Sequence, residues 1–198
     1  MRKAWQTAAA LFAALALSLP FAGCAAEQSV VLPPGYSLER DATPRYESLT
    51  AFKGRVSLAG ELVAFATTST IDGDTERHLH LVLIPAPDQI GRLPKVLVSD
   101  ETPAMTIAIE LDYLDDTQAE AITTVFGPAA LNNIQDRDIA YRATGVVTLE
   151  AYSTGLECNT RFHYARFVDL APPPGGTPGI ETGTPADFAP PGTSGCGH

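Results

Sequence analysis

The chain has 198 residues, with 13 Lys and Arg against 23 Asp and Glu, a formal net charge of −10 at pH 7. An acidic chain repels phosphate backbones and this one has no basic run to track a polyanion, so nucleic acid is excluded as a partner. The charge speaks for solubility, and the roughly 120 residues between the two Pro- and Gly-rich ends are enough for one core.

The first segment, "MRKAWQTAAALFAALALSLPFAGCAAE", has Arg2 and Lys3 ahead of an apolar run from Ala8 to Leu19. Pro20, Phe21, Ala22, Gly23 and Cys24 follow. A basic start, an apolar stretch of roughly 7–15 residues and a small-residue exit describe a secretory signal. A spanning helix needs about 20 apolar residues, and reaching that length here means including Gln6, Thr7, Ser18 and Pro20. Removing Arg2 and Lys3 with this segment leaves 11 basic against 23 acidic residues, a balance near −12.

On Ala22, Gly23 and Cys24 the segment resembles a bacterial lipoprotein signal, whose lipobox ends in two small residues and a cysteine. Phe21 stands where that family usually has leucine. The resemblance implies that Cys24 is acylated and becomes the mature N-terminus, so that the lipid bilayer is the first partner. Two or more acyl chains anchor stably where one binds only marginally. Ala25, in place of an aspartate after the cysteine, implies an outer-membrane destination facing the periplasm. The resemblance covers this segment alone. Expected boundaries are 1–23 for the signal, 24–50 for a flexible tether, 51–170 for the folded domain and 171–198 for a disordered tail.

The tether reading rests on Pro33, Pro34, Gly35 and Pro44 and on the lack of an apolar period. A flexible chain of that length has a root-mean-square span of about 30 Å. Next, "FKGRVSLAGELVAFATT" alternates at Val56, Leu58, Leu62 and Ala64, with apolar Val63 and Phe65 between, so burial is expected to change face near Gly60. A turn on Asp72-Gly73 leads into "RHLHLVLI", with Leu79, Leu81 and Leu83 on one face. "KVLVS" and then "MTIAIEL" read as strands, the latter with Met105, Ile107, Ile109 and Leu111 on one side. "DDTQAEAITTVFGP" switches to helical spacing through Ala119, Ile122 and Phe126, with an acidic and threonine N-cap and a stop at Gly127-Pro128. "PAALNNI" adds a turn, and two strands, "IAYRATGVVTLEAYS" and "ECNTRFHYARFVDL", close the domain. The tail "APPPGGTPGIETGTPADFAPPGTSGCGH" holds seven prolines and seven glycines, a composition that leaves little apolar surface to offset ordering entropy.

The order of a long bent strand, two further strands, a helix and two strands resembles the OB-fold in topology and patterning. The expected class is therefore mainly β, a five-to-six-stranded OB-like antiparallel barrel with one helix between strands three and four. A β-sandwich is the alternative, although an Ig-like one wants seven strands and no central helix.

With Cys24 acylated, Cys158 and Cys196 remain as an even pair in an oxidising compartment, and a bridge between them is expected. It would close a loop of about 40 residues and stabilise by roughly 3–4 kcal/mol. His78 and His80 share a strand face and, with His163 brought near, would suit zinc or copper; the plainer reading leaves them on the solvent face. Asp72, Asp74 and Glu76 lack the ligand ladder of a calcium loop and read as a hairpin turn. Glu110, Asp112, Asp115 and Asp116 read as carboxylates favouring a helix start rather than as an acid–base pair. Cys158 and His163 fall on opposite strand faces, against a nucleophile–base couple. Arg161, His163 and Tyr164 are candidate lining for a ligand groove. No G-x-S-x-G, H-E-x-x-H, G-x-G-x-x-G or paired C-x-x-C is present.

The function expected from these features is that of a membrane-anchored envelope lipoprotein with a non-enzymatic binding or scaffolding role. Its ligand would be an envelope protein, a glycan or a small molecule. No cofactor beyond the covalent lipid is expected. The alternative is a metal-dependent enzyme or metal carrier using His78, His80 and His163.

Overall fold

The computed structural model describes residues 29–39, 49–71, 74–97, 107–113, 116–157, 160–176 and 179–188. The expectations for Cys24, for the Cys158–Cys196 bridge, and for Asp72 and Asp115 lie outside the described residues. The strands are β1 Ser29–Val31, β2 Ser37–Leu38, β3 Leu49–Lys53, β4 Arg55–Ile71, β5 Asp74–Pro85, β6 Lys95–Leu97, β7 Ile109–Leu111, β8 Ala140–Glu157, β9 Thr160–Ala171 and β10 Ile180–Gly183. The helices are a 3-10 turn Pro87–Arg92, then α1 Gln118–Phe126, α2 Pro128–Arg137 and α3 Pro185–Phe188.

The fold is mainly β, built on one large mixed sheet. β4 organises it by serving two neighbours: Arg55–Ala64 pair with β8, and Gly60–Ile71 pair with β5. The two ladders overlap from residue 60 to 64, where Gly60 faces Gly145 of β8 on one side and Pro85 of β5 on the other. β5 passes the sheet to β7 through Val82–Glu110 and Leu83–Ile109, and β7 runs parallel to β9 through Glu110–Tyr164 and Leu111–Ala165. β9 then lies antiparallel on β8. β3 adds to β8 further along, and β1 pairs with β6 in a separate two-stranded ribbon.

The main core takes one alternating side of each long strand. Val56, Leu58, Leu62 and Ala64 of β4 meet Leu81 and Leu83 of β5, Ile109 and Leu111 of β7, and Val147 and Leu149 of β8. α1 closes over them with Ile122, and α2 with Ile134. The expected change of face at Gly60 does not occur: Val56, Leu58, Leu62, Ala64 and Ala66 all stay on the inward side of β4. Val63 and Phe65 are buried instead in a second cluster on the opposite side, with Val82 and Ala140 and with Phe188 packed against it. A strand covered on both sides reads as a continuous apolar run, which is why the alternation fades after residue 61.

Two segments hold more structure than composition suggested. Within the region read as a tether, β1 and β2 pair with β6 and β3, and Tyr36 packs on the core. Within the region read as a tail, β10 pairs with β8 and α3 brings Phe188 to the second cluster. Helix α2 runs for ten residues where a single turn was expected. Its Ala130 and Ile134 are buried one turn apart, and Arg77 donates to the Ile134 carbonyl at 2.9 Å near the helix C-terminus, where a cation suits the dipole.

Candidate functional site

Two polar clusters sit against this core, one on each side of the sheet. The first joins four elements. β5 alternation turns His80 away from Leu79 and Leu81, and the ring stacks on Phe65 at 4.9 Å between centroids. One ring nitrogen, Nε2, lies 2.7 Å from Thr67 Oγ1 of β4, and the other, Nδ1, lies 2.8 Å from Glu110 Oε1 of β7. Gln118 of α1 donates to the same carboxylate oxygen at 3.0 Å. An ionised carboxylate only accepts, so Nδ1 carries a proton and, in the neutral imidazole, Nε2 accepts from the threonine hydroxyl. The His80 and Glu110 side chains are only 13% and 16% exposed, which strengthens the pair relative to a surface bridge.

His78, two residues earlier on the same face, repeats the motif with Ser69 Oγ at 2.8 Å and a looser approach to Glu76 at 3.9 Å. The two histidines therefore do share a face, but each is held by its own hydroxyl partner. His163 belongs to the other cluster. Among the described residues no group of three or more His, Cys, Asp or Glu side chains could hold a metal ion, and the trio His78, His80 and His163 is not brought together.

The second cluster lies inside one end of the sheet. His163 of β9 is buried and its Nδ1 shares a hydrogen bond of 2.7 Å with the Tyr152 hydroxyl, while Phe52 stacks with Tyr152 at 6.0 Å between centroids. The bulge that delivers Tyr152 inward is at Ala151, whose φ of 52° departs from strand geometry. Thr154, paired with His163 across the ladder, donates to the Phe162 carbonyl at 2.9 Å and accepts from Arg161 at 3.5 Å. Burial pushes the Tyr152 phenol well above its ordinary range. Burial likewise pushes Tyr36 up to about 12, against the lowering pull of Arg92, and the Tyr36 hydroxyl has no hydrogen-bond partner among the described residues.

The expected groove of Arg161, His163 and Tyr164 is split by the period of two. Arg161 and His163 lean to the Tyr152 side, whereas Tyr164 lies on the opposite face in a row of near-parallel rings. Tyr164 stacks with Tyr113 at 5.6 Å and with Phe162 at 6.2 Å between ring centroids. Tyr164 is buried, Phe162 half-buried and Tyr113 39% exposed, and Glu110 lies beside Tyr164 in the ladder.

Two of the acids expected to favour the helix start, Glu110 and Asp112, are engaged elsewhere by their side chains. Thr117 at the N-cap makes no side-chain cap bond. Glu110 goes to His80 and Gln118, and Asp112, buried at the end of β7, accepts from the Phe167 amide at 3.0 Å. Asp74 and Glu76 are exposed on β5. Thr67, Gln118, Tyr152 and Tyr36 were not singled out from sequence. Glu110 gave the one visible signal, a lone acid inside an apolar strand.

No protein-family model, no curated protein and no solved structure matches this chain.

Proposed function

We propose that this chain is a lipid-anchored envelope protein whose body is an OB-like barrel with a non-enzymatic binding role. The observation that carries the reading is the circuit of strand pairing: β4 to β5, β5 to β7, β7 to β9, β9 to β8, and β8 back to β4. Counted along the chain, the parallel step joins the third and fifth of these strands, β7 and β9, and two helices intervene between the third and fourth, β7 and β8. That order supports an OB-like barrel over a sandwich of two separate sheets, because β4 and β8 each belong to both halves. The helical insertion holds two helices rather than the one expected.

The anchor rests on Ala22, Gly23 and Cys24, with acyl chains on Cys24 inserted in the outer membrane and the barrel facing the periplasm. Among the ligand classes open to such a protein, the face bearing Tyr113, Tyr164 and Phe162 favours a glycan. Aromatic faces pack against the apolar sides of sugar rings, and the Glu110 carboxylate nearby offers acceptors for hydroxyls, while the net charge disfavours polyanions. The test is binding of cell-envelope glycan fragments followed by tryptophan-independent calorimetry. Phe162→Ala and Tyr113→Ala are each expected to weaken binding by about tenfold, the size of one ring contact. Unchanged affinity in both variants, or no binding of any fragment, removes the glycan reading.

A further inference from the structure

The chain is fastened to the body very soon after Cys24. β1 begins at Ser29 and pairs with β6 from Ser29–Leu97 to Val31–Lys95. β6 is fixed in turn, because Val96 and the preceding Leu93 are buried in the main core. Beyond β1, the Tyr36 amide donates to the Pro33 carbonyl at 3.3 Å, Tyr36 packs on the core, and β2 pairs with β3. The length of chain between Cys24 and this fixed ribbon is therefore residues 25–28. Even fully extended, the steps from 24 to 29 span at most about 17 Å. The headgroup layer of a bilayer takes up about 5–7 Å of that reach. A body held at Cys24 by so short a lead cannot stand about 30 Å clear of the lipid as a tether of residues 24–50 would allow.

The surface of the ribbon suits that neighbour. Residues opposite one another in an antiparallel pair point to the same side, so Val30 follows Val96 of the core while Val31, Lys95 and Leu97 turn to the other face. Val31 and Leu97 are 48% and 47% exposed, and Leu32 just beyond the strand is 43% exposed. Residues 29–38 and 92–97 contain no Asp or Glu, and their two charges, Arg92 and Lys95, are both positive. In a chain of net charge −10, an acid-free apolar ribbon with cations beside it departs from the overall balance. Exposed apolar side chains grouped in this way mark a protein or membrane contact. The short lead from Cys24 and the local positive charge decide for an anionic lipid surface.

We infer that the β1–β6 ribbon lies against the bilayer, with Val31, Leu32 and Leu97 entering the headgroup layer and Lys95 meeting lipid phosphates. The inference rests on the Cys24 anchor proposed above and adds an orientation to it. The ribbon becomes a second point of attachment, which fixes which end of the body faces the lipid. Apolar burial and charge act together there, as they do for a single acyl chain beside a basic patch.

Trp5 is the only tryptophan and lies in the segment expected to leave with the signal, so a tryptophan placed in the mature protein reports alone. Leu97→Trp and a control, Thr75→Trp, are each made in the full chain, extracted from membranes and reconstituted into vesicles. The vesicles are of phosphatidylethanolamine and phosphatidylglycerol with bromine on the acyl chains. Thr75 is exposed at the other end of β5 from Pro85, about 33 Å along the strand from the 3-10 turn that leads to β6. Blue-shifted emission, quenched by bromine at least about threefold more strongly than in the control, is expected for Leu97→Trp. Equal quenching in a product whose mass shows acyl chains overturns the inference and leaves the anchor standing. A product without acyl chains removes the anchor and the inference together. A blue shift without bromine quenching means that another copy or another protein covers the ribbon, and this also overturns the inference. Should Leu97→Trp fail to fold, Val31→Trp is read in the same way.

Discussion

Replacing Gly60 with alanine tests the close backbone approach at which β4 serves both β8 and β5. A Cβ built on Gly60 falls 2.4 Å from the Ile84 carbonyl oxygen and 3.0 Å from Pro85 Cα, both backbone atoms of β5. A side chain could rotate aside; a strand in a ladder cannot. Opening the gap to an ordinary contact means moving β5 by close to an ångström where neighbouring strands sit about 4.8 Å apart, which stretches hydrogen bonds on that side. Overpacking of this kind costs about 1–3 kcal/mol, and one weakened ladder bond adds about 1 kcal/mol. The reduced freedom of alanine in the unfolded chain returns about 0.5–1 kcal/mol. The net expectation is a loss of about 2–3 kcal/mol, which for a domain of this size lowers the melting temperature by roughly 10 °C. Urea unfolding followed by circular dichroism measures it. Gly91→Ala is the control, since a Cβ there meets nothing within 4 Å. Gly60→Ala no less stable than Gly91→Ala would refute the reasoning and with it the shared-strand geometry.

Further outcomes follow from the two polar clusters. Ala151→Gly is expected to stabilise by about 0.5–1 kcal/mol, because it relieves a left-handed residue in the β8 bulge; a loss in the same urea assay contradicts this. A double-mutant cycle on His80→Ala and Glu110→Ala should give a coupling of about 1 kcal/mol or more, and additive losses would mean that the pair contributes only through packing. Tyr152→Phe removes the buried Tyr152–His163 hydrogen bond and should cost about 1–2 kcal/mol, whereas Tyr36→Phe removes a hydroxyl with no partner among the described residues and should be neutral or stabilising. Because burial raises the Tyr36 and Tyr152 phenols above their unfolded value, both stay protonated in the fold; their contribution is complete below about pH 10 and declines as pH rises toward 12. Ultraviolet titration of tyrosinate should show two phenols resisting ionisation until alkaline unfolding, and a full set titrating near pH 10 in the folded protein contradicts it.

Much of the fold was legible in the sequence wherever one side of an element is buried and the other is wet. Leu79, Leu81 and Leu83 alternate cleanly with polar neighbours and take the inner face of β5, and the glycines that interrupt two strands are found opposite one another at 60 and 145. The signal failed where burial is two-sided or polar groups carry it. Val63 and Phe65 gave the impression of a reversed strand because Phe188, more than a hundred residues away, covers them. Helix α2 was underestimated because Asn132, Asn133, Gln135 and Asp136 surround a narrow stripe of Ala130 and Ile134.

The candidate site was less legible, for a physical reason. His80, Thr67 and Glu110 meet only because of strand register, and a one-residue slip would turn every partner to the other face. Sequence shows that a histidine and an acid are present on strands; it does not show which rungs they share. The same parity rule separates Tyr164 from Arg161 and His163, and it was available from spacing alone.

The proposed account turns on the lipid, since the compartment and the periplasm-facing placement of the body proposed above are argued from it. The most direct test is intact-mass analysis of the protein extracted from membranes of cells expressing the full sequence, beside a Cys24→Ser variant. The expected product begins at Cys24 and carries acyl chains, and the variant loses both the added mass and the membrane fraction. A soluble product without acyl groups, or one that still retains Met1, would contradict the account.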